Sequence, residues 1–283
     1  MINAQNLSFS YDFSSTLIED MSFQVAAGEI FGFLGPSGAG KSTLQKILCG
    51  ILRNYRGQVT VMDREVKKTS EDFYTQIGVD FEFPNLYSKF TGLENLTYFA
   101  SLYGRNDLDP YPHLERIGLS GDMHKKVSSY SKGMKMRLAF VRAILHQPRL
   151  LFLDEPTSGL DPAYARILKD MILEQKEAGR TVILTTHNMH DAEELCDRVA
   201  FIVDGEIRAL DTPAALRSRE TGVKVRFTYE NSEQILSGHA PLESLKSHPD
   251  FMHHLQNGTL RSIHSREPTL EDVFIELTGR HLS

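Results

Sequence analysis

The chain has 283 residues, with 31 Lys plus Arg against 37 Asp plus Glu and a formal net charge of −6; 41% of residues are hydrophobic and 24% charged. Those proportions exclude a disordered or fibrous chain, and the acidic balance argues against a surface built on phosphate contacts to nucleic acid. No apolar run approaches the roughly 18 residues that a membrane-spanning helix needs, and the opening Met1–Leu7 lacks the basic and apolar regions of a signal peptide; the expectation is a cytoplasmic protein whose membrane role, if any, passes through a partner.

From Ile2 to about Leu216, short apolar runs alternate with segments of helical period, the pattern of a parallel or mixed sheet covered by helices. A strand is predicted at Glu29–Leu34 and a helix at Lys41–Ile51. Two helices between Gly92 and Gly118, the first at Leu93–Tyr103, form a helical insert placed at about 83–146, which closes with a helix at Lys132–Leu145. Strands at Leu150–Leu153, Thr181–Leu184 and Val199–Val203 then alternate with helices at Tyr164–Gln175 and His190–Leu195. Several of these strands are apolar almost throughout, as strands buried on both faces should be. Beyond about Ser218 the texture changes: Val223–Tyr229 alternates like a half-exposed strand and Leu270–Leu277 reads as a short amphipathic helix. The chain is therefore expected to divide into an α/β domain at 1–218 and a small α+β appendage at 219–283. Cys49 and Cys196 are too few and too far apart for a disulfide framework or a metal site, and read as buried thiols.

Gly35-Pro36-Ser37-Gly38-Ala39-Gly40-Lys41-Ser42 fits the phosphate-loop pattern GxxxxGK[ST], directly after one predicted strand and opening a helix. Glycines let backbone N–H groups converge on phosphate oxygens, and the helix N-terminus adds partial positive charge. In this pattern Lys41 reaches the β- and γ-phosphates, Ser42 ligates Mg²⁺, and Thr43 lies beside them. Downstream, the apolar strand from Leu150 ends in Asp154-Glu155, with Pro156 preventing its continuation. Beside a phosphate loop, Asp154 would hold Mg²⁺ through its hydration shell and Glu155 would polarise an attacking water; an ordinary helix cap uses the same letters. His187 follows another apolar strand through Thr185-Thr186, at the sheet edge where ligands of such folds bind. The other ten histidines, including the pair His253-His254, read as structural.

Together these residues resemble one family, the ATP-binding cassette (ABC) ATPases. Ser131-Lys132-Gly133-Met134, preceded by Tyr130, resembles the family's signature Leu-Ser-Gly-Gly-Gln. Ser158-Gly159-Leu160-Asp161 resembles its D-loop, His187 its switch histidine, and Tyr11 stands where an aromatic residue stacks on adenine. The resemblance implies a P-loop NTPase fold, ATP and Mg²⁺, and a head-to-tail dimer with a second ATP-binding subunit, identical or different. In that dimer Ser131, Lys132, Gly133 and Met134 act across the interface. It further implies an integral-membrane permease, a location on the inner face of the cell membrane, and no nucleic acid. Phe83, Leu86, Tyr87 and Phe90 lie where the family docks its permease, although packing of the insert on its own domain explains them equally well. Two departures stand out: Lys132 and Met134 replace Gly and Gln in the signature, and Glu82 in Val79–Pro84 replaces a glutamine that contacts Mg²⁺. Glu82 is either that third Mg²⁺ contact or a solvated loop carboxylate. The signature variant and the run Glu267–Gly279 resemble export-type subunits with separate permeases. The competing functions are a soluble ABC ATPase acting on ribosomes or DNA and a P-loop small-molecule kinase. A single cassette, and no sustained heptads between Lys41 and Ser131, favour the transporter subunit.

Overall fold

The structure is a computed structural model and describes residues 1–12, 16–219, 224–231, 234–266 and 268–279. Val223 and Glu267, which open two of the segments read above, lie outside the described residues. The chain divides into two compact units, Met1–Asp211 and Thr212–His281. The break falls ahead of position 218 because the helix Pro213–Arg219 packs against the helix Leu270–Thr278.

The first unit contains two sheets. An antiparallel sheet of order β2-β1-β4-β5 comprises β1 (Ile2–Phe9), β2 (Ile18–Val25), β4 (Arg56–Val61) and β5 (Arg64–Glu65). A six-stranded sheet of order β10-β9-β3-β8-β7-β6 comprises β3 (Ile30–Leu34), β6 (Ile77–Asp80), β7 (Leu150–Asp154), β8 (Thr181–Thr186), β9 (Arg198–Val203) and β10 (Glu206–Asp211). Its neighbours pair in parallel except for β10, which runs antiparallel to β9, so the sheet is mixed as expected. Helices α1 (Lys41–Leu48), α2 (Glu71–Tyr74), α3 (Gly92–Leu102), α4 (Tyr111–Arg116), α5 (Lys132–Leu145), α6 (Pro162–Glu177) and α7 (Met189–Leu195) complete the unit.

Local sequence sets these boundaries. Thr91 and Glu94 form a reciprocal capping box at the start of α3. Ser131 caps α5, and Asp161 accepts from the N–H groups of Ala163 and Tyr164 to cap α6, with Pro162 at the first helical position. Helix α1 stops at Leu48 rather than at the expected Ile51, because Gly50 turns the chain with φ 74° and leaves Ile51 exposed. The N-terminal antiparallel sheet is not legible in the apolar runs. In β2 the buried positions alternate with exposed ones, which is how a sheet with one solvated face reads.

One apolar cluster joins Phe23 of β2, Val59 and Val61 of β4, Leu44 and Ile47 of α1, and Phe31, Phe33, Phe152 and Ile183 of the six-stranded sheet. Each such side chain taken fully out of water stabilises the fold by about 1.5–3 kcal/mol before entropic costs. The parallel registers Leu34↔Thr186, Thr185↔Asp154 and Leu153↔Asp80 bring the carboxyl ends of four strands to one edge. That alignment positions the site.

The second unit has a three-stranded antiparallel sheet, with β11 (Lys224–Asn231) between β12 (Gln234–Pro241) and β13 (Leu260–Arg266). With it are α8 (Pro213–Arg219), α9 (Pro249–Gln256) and α10 (Leu270–Thr278). Val225, Phe227, Ala240, Leu245 and Phe251 make its small core.

Candidate active site

The phosphate loop leaves β3 at Leu34 and enters α1 at Lys41. A Cβ on Gly35 would lie 2.1 Å from the Ile202 carbonyl oxygen of β9, so only glycine fits there. Gly40 is the N-cap of α1 at φ 101°, a left-handed conformation that a side chain disfavours. Ala39 N–H donates to the Pro36 carbonyl at 3.2 Å, closing the turn. The buried Lys41 ammonium donates to the carbonyls of Gly35 (2.7 Å) and Pro36 (3.0 Å). Burial pulls its pKa below the ordinary lysine value, against the pull of Glu155, Asp154 and Glu82, which favour the charged form.

On the neighbouring strands, Thr185 Oγ1 hydrogen-bonds Asp154 Oδ1 and lies 3.4 Å from Gln45 Oε1 of α1. Glu155, just past β7, has φ 51°, rare for a residue with a side chain, and its N–H donates to the Thr185 carbonyl at 2.9 Å. This backbone twist turns the two adjacent carboxylates to different partners. Glu155 Oε2 accepts from the Thr186 hydroxyl (3.0 Å), while Oε1 accepts from the His187 N–H (2.9 Å) and meets His187 Nδ1 at 2.8 Å. The loop beyond is tied down by Thr157, whose hydroxyl donates to Asp191 of α7 at 2.6 Å, and by Lys169 of α6, 3.3 Å from the same carboxylate.

A cleft of about 340 Å³ is lined by Leu17, Ser37, Gly38, Gly40, Lys41, Ser42, Thr43, Glu82, Asp154, Glu155, Ser158 and His187. It presents one ammonium and three carboxylates, together with the hydroxyl of Ser42. Ser42, Asp154 and Glu82 offer hard oxygen donors of the kind that suit Mg²⁺. Among the described residues, no three His, Cys, Asp or Glu side chains form a self-contained metal cage. Such a cation would share its shell with substrate oxygens and water. Next to the cleft, Asp80 is buried at the end of β6; burial pushes its carboxyl up to about 7, with Arg142 opposing the shift and Asp154 adding to it.

The structure thus gathers Ser37, Gly38, Gly40, Lys41, Ser42, Thr43, Glu82, Asp154, Glu155, Ser158 and His187 around one cleft. Gly35, Pro36 and Ala39 shape the loop behind it. Tyr11 is off the cleft lining; its hydroxyl meets Thr43 Oγ1 at 3.1 Å and its ring stands edge-on to Phe9. Ser131, Lys132, Gly133 and Met134 open α5 and do not line the cleft, and neither do Gly159, Leu160 and Asp161. Sequence reasoning missed the parts played by Thr185, Thr186 and Gln45, as well as Asp80. The available signal was two adjacent hydroxyls ending a buried strand after an apolar run, where a polar group needs a partner.

Residues 18–158 match the ABC transporter family model. The chain is 50% identical over 285 residues to a fluoroquinolones export ATP-binding protein of Mycobacterium tuberculosis (strain H37Rv), covering 100% of this chain and 95% of the relative. It is 36% identical to the Nod factor export ATP-binding protein I of Bradyrhizobium diazoefficiens over 94% of this chain and 92% of that one. Among solved structures it is similar to an ATP-binding subunit of an ABC transporter, with TM-score 0.71 and 30% identity over 77% of this chain and 92% of the other. A dimeric ATP-binding cassette with ADP and phosphate shares the fold, with TM-score 0.69 and 23% identity over 75% of this chain and 98% of the other. With the phosphate loop, the Asp154-Glu155 edge and His187 converging on one cleft, and relatives matched along the whole chain, the protein belongs to the ABC transporter family as an ATP-binding, ATP-hydrolysing subunit.

Proposed function

We propose that this ATPase drives export through a separate membrane-embedded permease, working as a head-to-tail dimer in which each ATP is enclosed by the signature of the other subunit. The observation that carries the reading is the pairing of Glu155 with His187, Thr186 and the cleft that Lys41 enters. Glu155 is the general base: its carboxylate accepts the proton of a water attacking the γ-phosphate. His187 and Thr186 are positioning residues, since they hold both carboxylate oxygens in place. Lys41 exchanges the Gly35 and Pro36 carbonyls for β- and γ-phosphate oxygens. Asp154, oriented by Thr185, holds the Mg²⁺ shell with Ser42 and Glu82, and when bound the cation offsets charge developing on the phosphoryl oxygens. Tyr11, beside Thr43, stacks on adenine. Ser131 and Gly133 open a 14-residue helix that stays out of their own subunit's cleft, which suits delivery of a second anion-binding helix end from a partner. Ser158, Gly159, Leu160 and Asp161 form the loop between the two, with Asp161 committed to capping α6.

The relatives named as export proteins support the direction of transport. No helix among the described residues is long and apolar enough to cross a membrane, and in this reading the separate permease makes the membrane crossing. A groove of about 530 Å³ between β6, the loop after it and the insert helices offers that partner a seat. Its rim includes Tyr87, which packs with Phe90, Tyr98 and Phe99, and nearby Phe83 is 70% exposed. The apolar loop residues therefore serve the insert's own packing through Tyr87 and Phe90, and leave Phe83 outward. The chain then acts at the inner face of the membrane. A mixture of Ser131→Arg and Lys41→Ala chains tests the sandwich: one intact composite site should restore measurable ATP turnover where each variant alone has none. A silent mixture would overturn it.

A further inference from the structure

Glu82 stands at the midpoint of the stretch Val79–Asn85, which leads out of β6. It lines the nucleotide cleft, whereas Val79, Phe81, Asn85 and Leu86 line the separate groove beside the insert. From Phe81 to Leu86 no backbone–backbone hydrogen bond is present among the described residues, and the Glu82 carboxylate has no hydrogen-bond partner there either. The reach of that carboxylate is therefore set by whatever holds the two ends of the loop. Both ends are held by one side chain of α5. The Arg142 guanidinium donates through one nitrogen to the Val79 carbonyl at 3.4 Å and through another to the Asn85 carbonyl. These acceptors flank Glu82 symmetrically in the sequence. A planar fork of donors suits such a bridge, which the single ammonium of a lysine cannot reproduce.

Arg142 is itself fixed. Its guanidinium carbon lies 4.9 Å from the centroid of the Phe99 ring of α3, and Asp80 and Tyr103 favour its charged form against the pull of burial. Taking a cation out of water is costly unless hydrogen bonds compensate it, and here they go to the loop. Beyond the bridge, the fully buried Asn95 of α3 anchors the next turn, accepting from the Tyr87 N–H at 2.9 Å and donating to the Tyr87 carbonyl at 3.0 Å. We propose that Arg142 is a positioning residue for Glu82: by bridging the Val79 and Asn85 carbonyls it sets the span of the loop, and so the reach of the Glu82 carboxylate toward Mg²⁺. This rests on the reading of Glu82 as a Mg²⁺ contact given above.

The test follows binding of Mn²⁺, a paramagnetic stand-in for Mg²⁺ that also favours oxygen ligands, to the ATP-loaded full chain by electron paramagnetic resonance. Binding of ATP in EDTA is measured beside it. Arg142→Lys keeps the charge and loses the fork, and Arg142→Met loses both; if the latter does not fold, the former decides. Each should weaken Mn²⁺ binding about tenfold, as loss of a group that orients a metal ligand does, with ATP affinity in EDTA unchanged. In a Glu82→Ala background the same substitutions should add nothing, because the carboxylate they misplace is gone. Mn²⁺ affinity unmoved by the Arg142 variants but lowered by Glu82→Ala would overturn the proposal and leave Glu82 its role. Additive losses in the double variant, or an equal loss of ATP affinity in EDTA, would make Arg142 a support of the fold and also overturn it. If Glu82→Ala itself leaves Mn²⁺ binding unchanged, the Mg²⁺ reading of Glu82 fails and this role fails with it.

Discussion

The six-stranded sheet and the three-stranded sheet place their polar atoms differently. In β3, β7 and β8 every residue is buried, and apart from Thr181 at the start of β8 the polar side chains gather at the carboxyl ends, where Thr185 and Thr186 bind the cleft-lining Asp154 and Glu155. In the second unit, β11 alternates: Val225 and Phe227 are buried, while Arg226 faces out in one row with the exposed His239 and His264 of its neighbours. A strand covered on both faces can present chemistry only at its ends, so its functional groups converge. A sheet with one open face spreads them across its surface.

The sharpest way to break that contrast is Glu155→Gln, which should lower turnover by about 10²–10⁴ while leaving ATP binding intact. A variant hydrolysing ATP at the parental rate would move the chemistry away from the strand ends. In the other sheet, Phe227 packs edge-on to Phe251 with ring centroids 5.1 Å apart. Phe227→Ala should cost about 3–5 kcal/mol of the second unit's stability, read by hydrogen exchange across β11, with ATP affinity unchanged. Loss of nucleotide binding in that variant would contradict the separation of roles.

A third prediction concerns pH. His146, at the end of α5, is stacked on Tyr103 at 3.8 Å, and its Nε2 lies 3.0 Å from the Ile77 carbonyl of β6. Burial depresses its pKa to about 4. Between about pH 6.5 and 4 the unfolded chain takes up a proton that the folded ring refuses, so the contribution is complete above pH 6.5 and is lost as pH falls through 4. The raised carboxyl of Asp80 pulls the other way between its unfolded value and about 7. The difference between parent and His146→Phe in urea unfolding isolates the histidine, and should shrink by about 3 kcal/mol from pH 7 to pH 4. A pH-independent difference would mean that the ring protonates inside the fold. The smallest effect is expected from Thr186→Val, which removes one hydrogen bond to Glu155 and should slow turnover about tenfold, with no change in ATP affinity. Unchanged turnover would leave the orientation of Glu155 to His187 alone.

Much of the site was legible because its motifs are contiguous. The loop Gly35–Ser42 and the pair Asp154-Glu155 each sit where one strand meets a turn, and local pattern suffices to place them. Helix α5 was read to the residue, since Ser131 caps it and its apolar period is strong. The antiparallel sheet of β1, β2 and β4 was missed because half of each strand is solvated and its pairing is long-range. The polar stretch after Tyr229 likewise hid β12, α9 and β13.

By itself, then, the amino-acid order determined the phosphate-loop pattern, the strand that ends in carboxylates, and that both follow buried strands. Tertiary structure alone decided which of them meet. The bond from Thr186 to Glu155 depends on two strands, distant in sequence, lying in parallel register. So does the contact of Thr185 with Asp154. The approach of Lys132 to Gly159 depends on how α5 packs beside the loop before α6. Such contacts arise from backbone pairing and core packing, which act between segments far apart in the chain and leave no short-range trace in its letters.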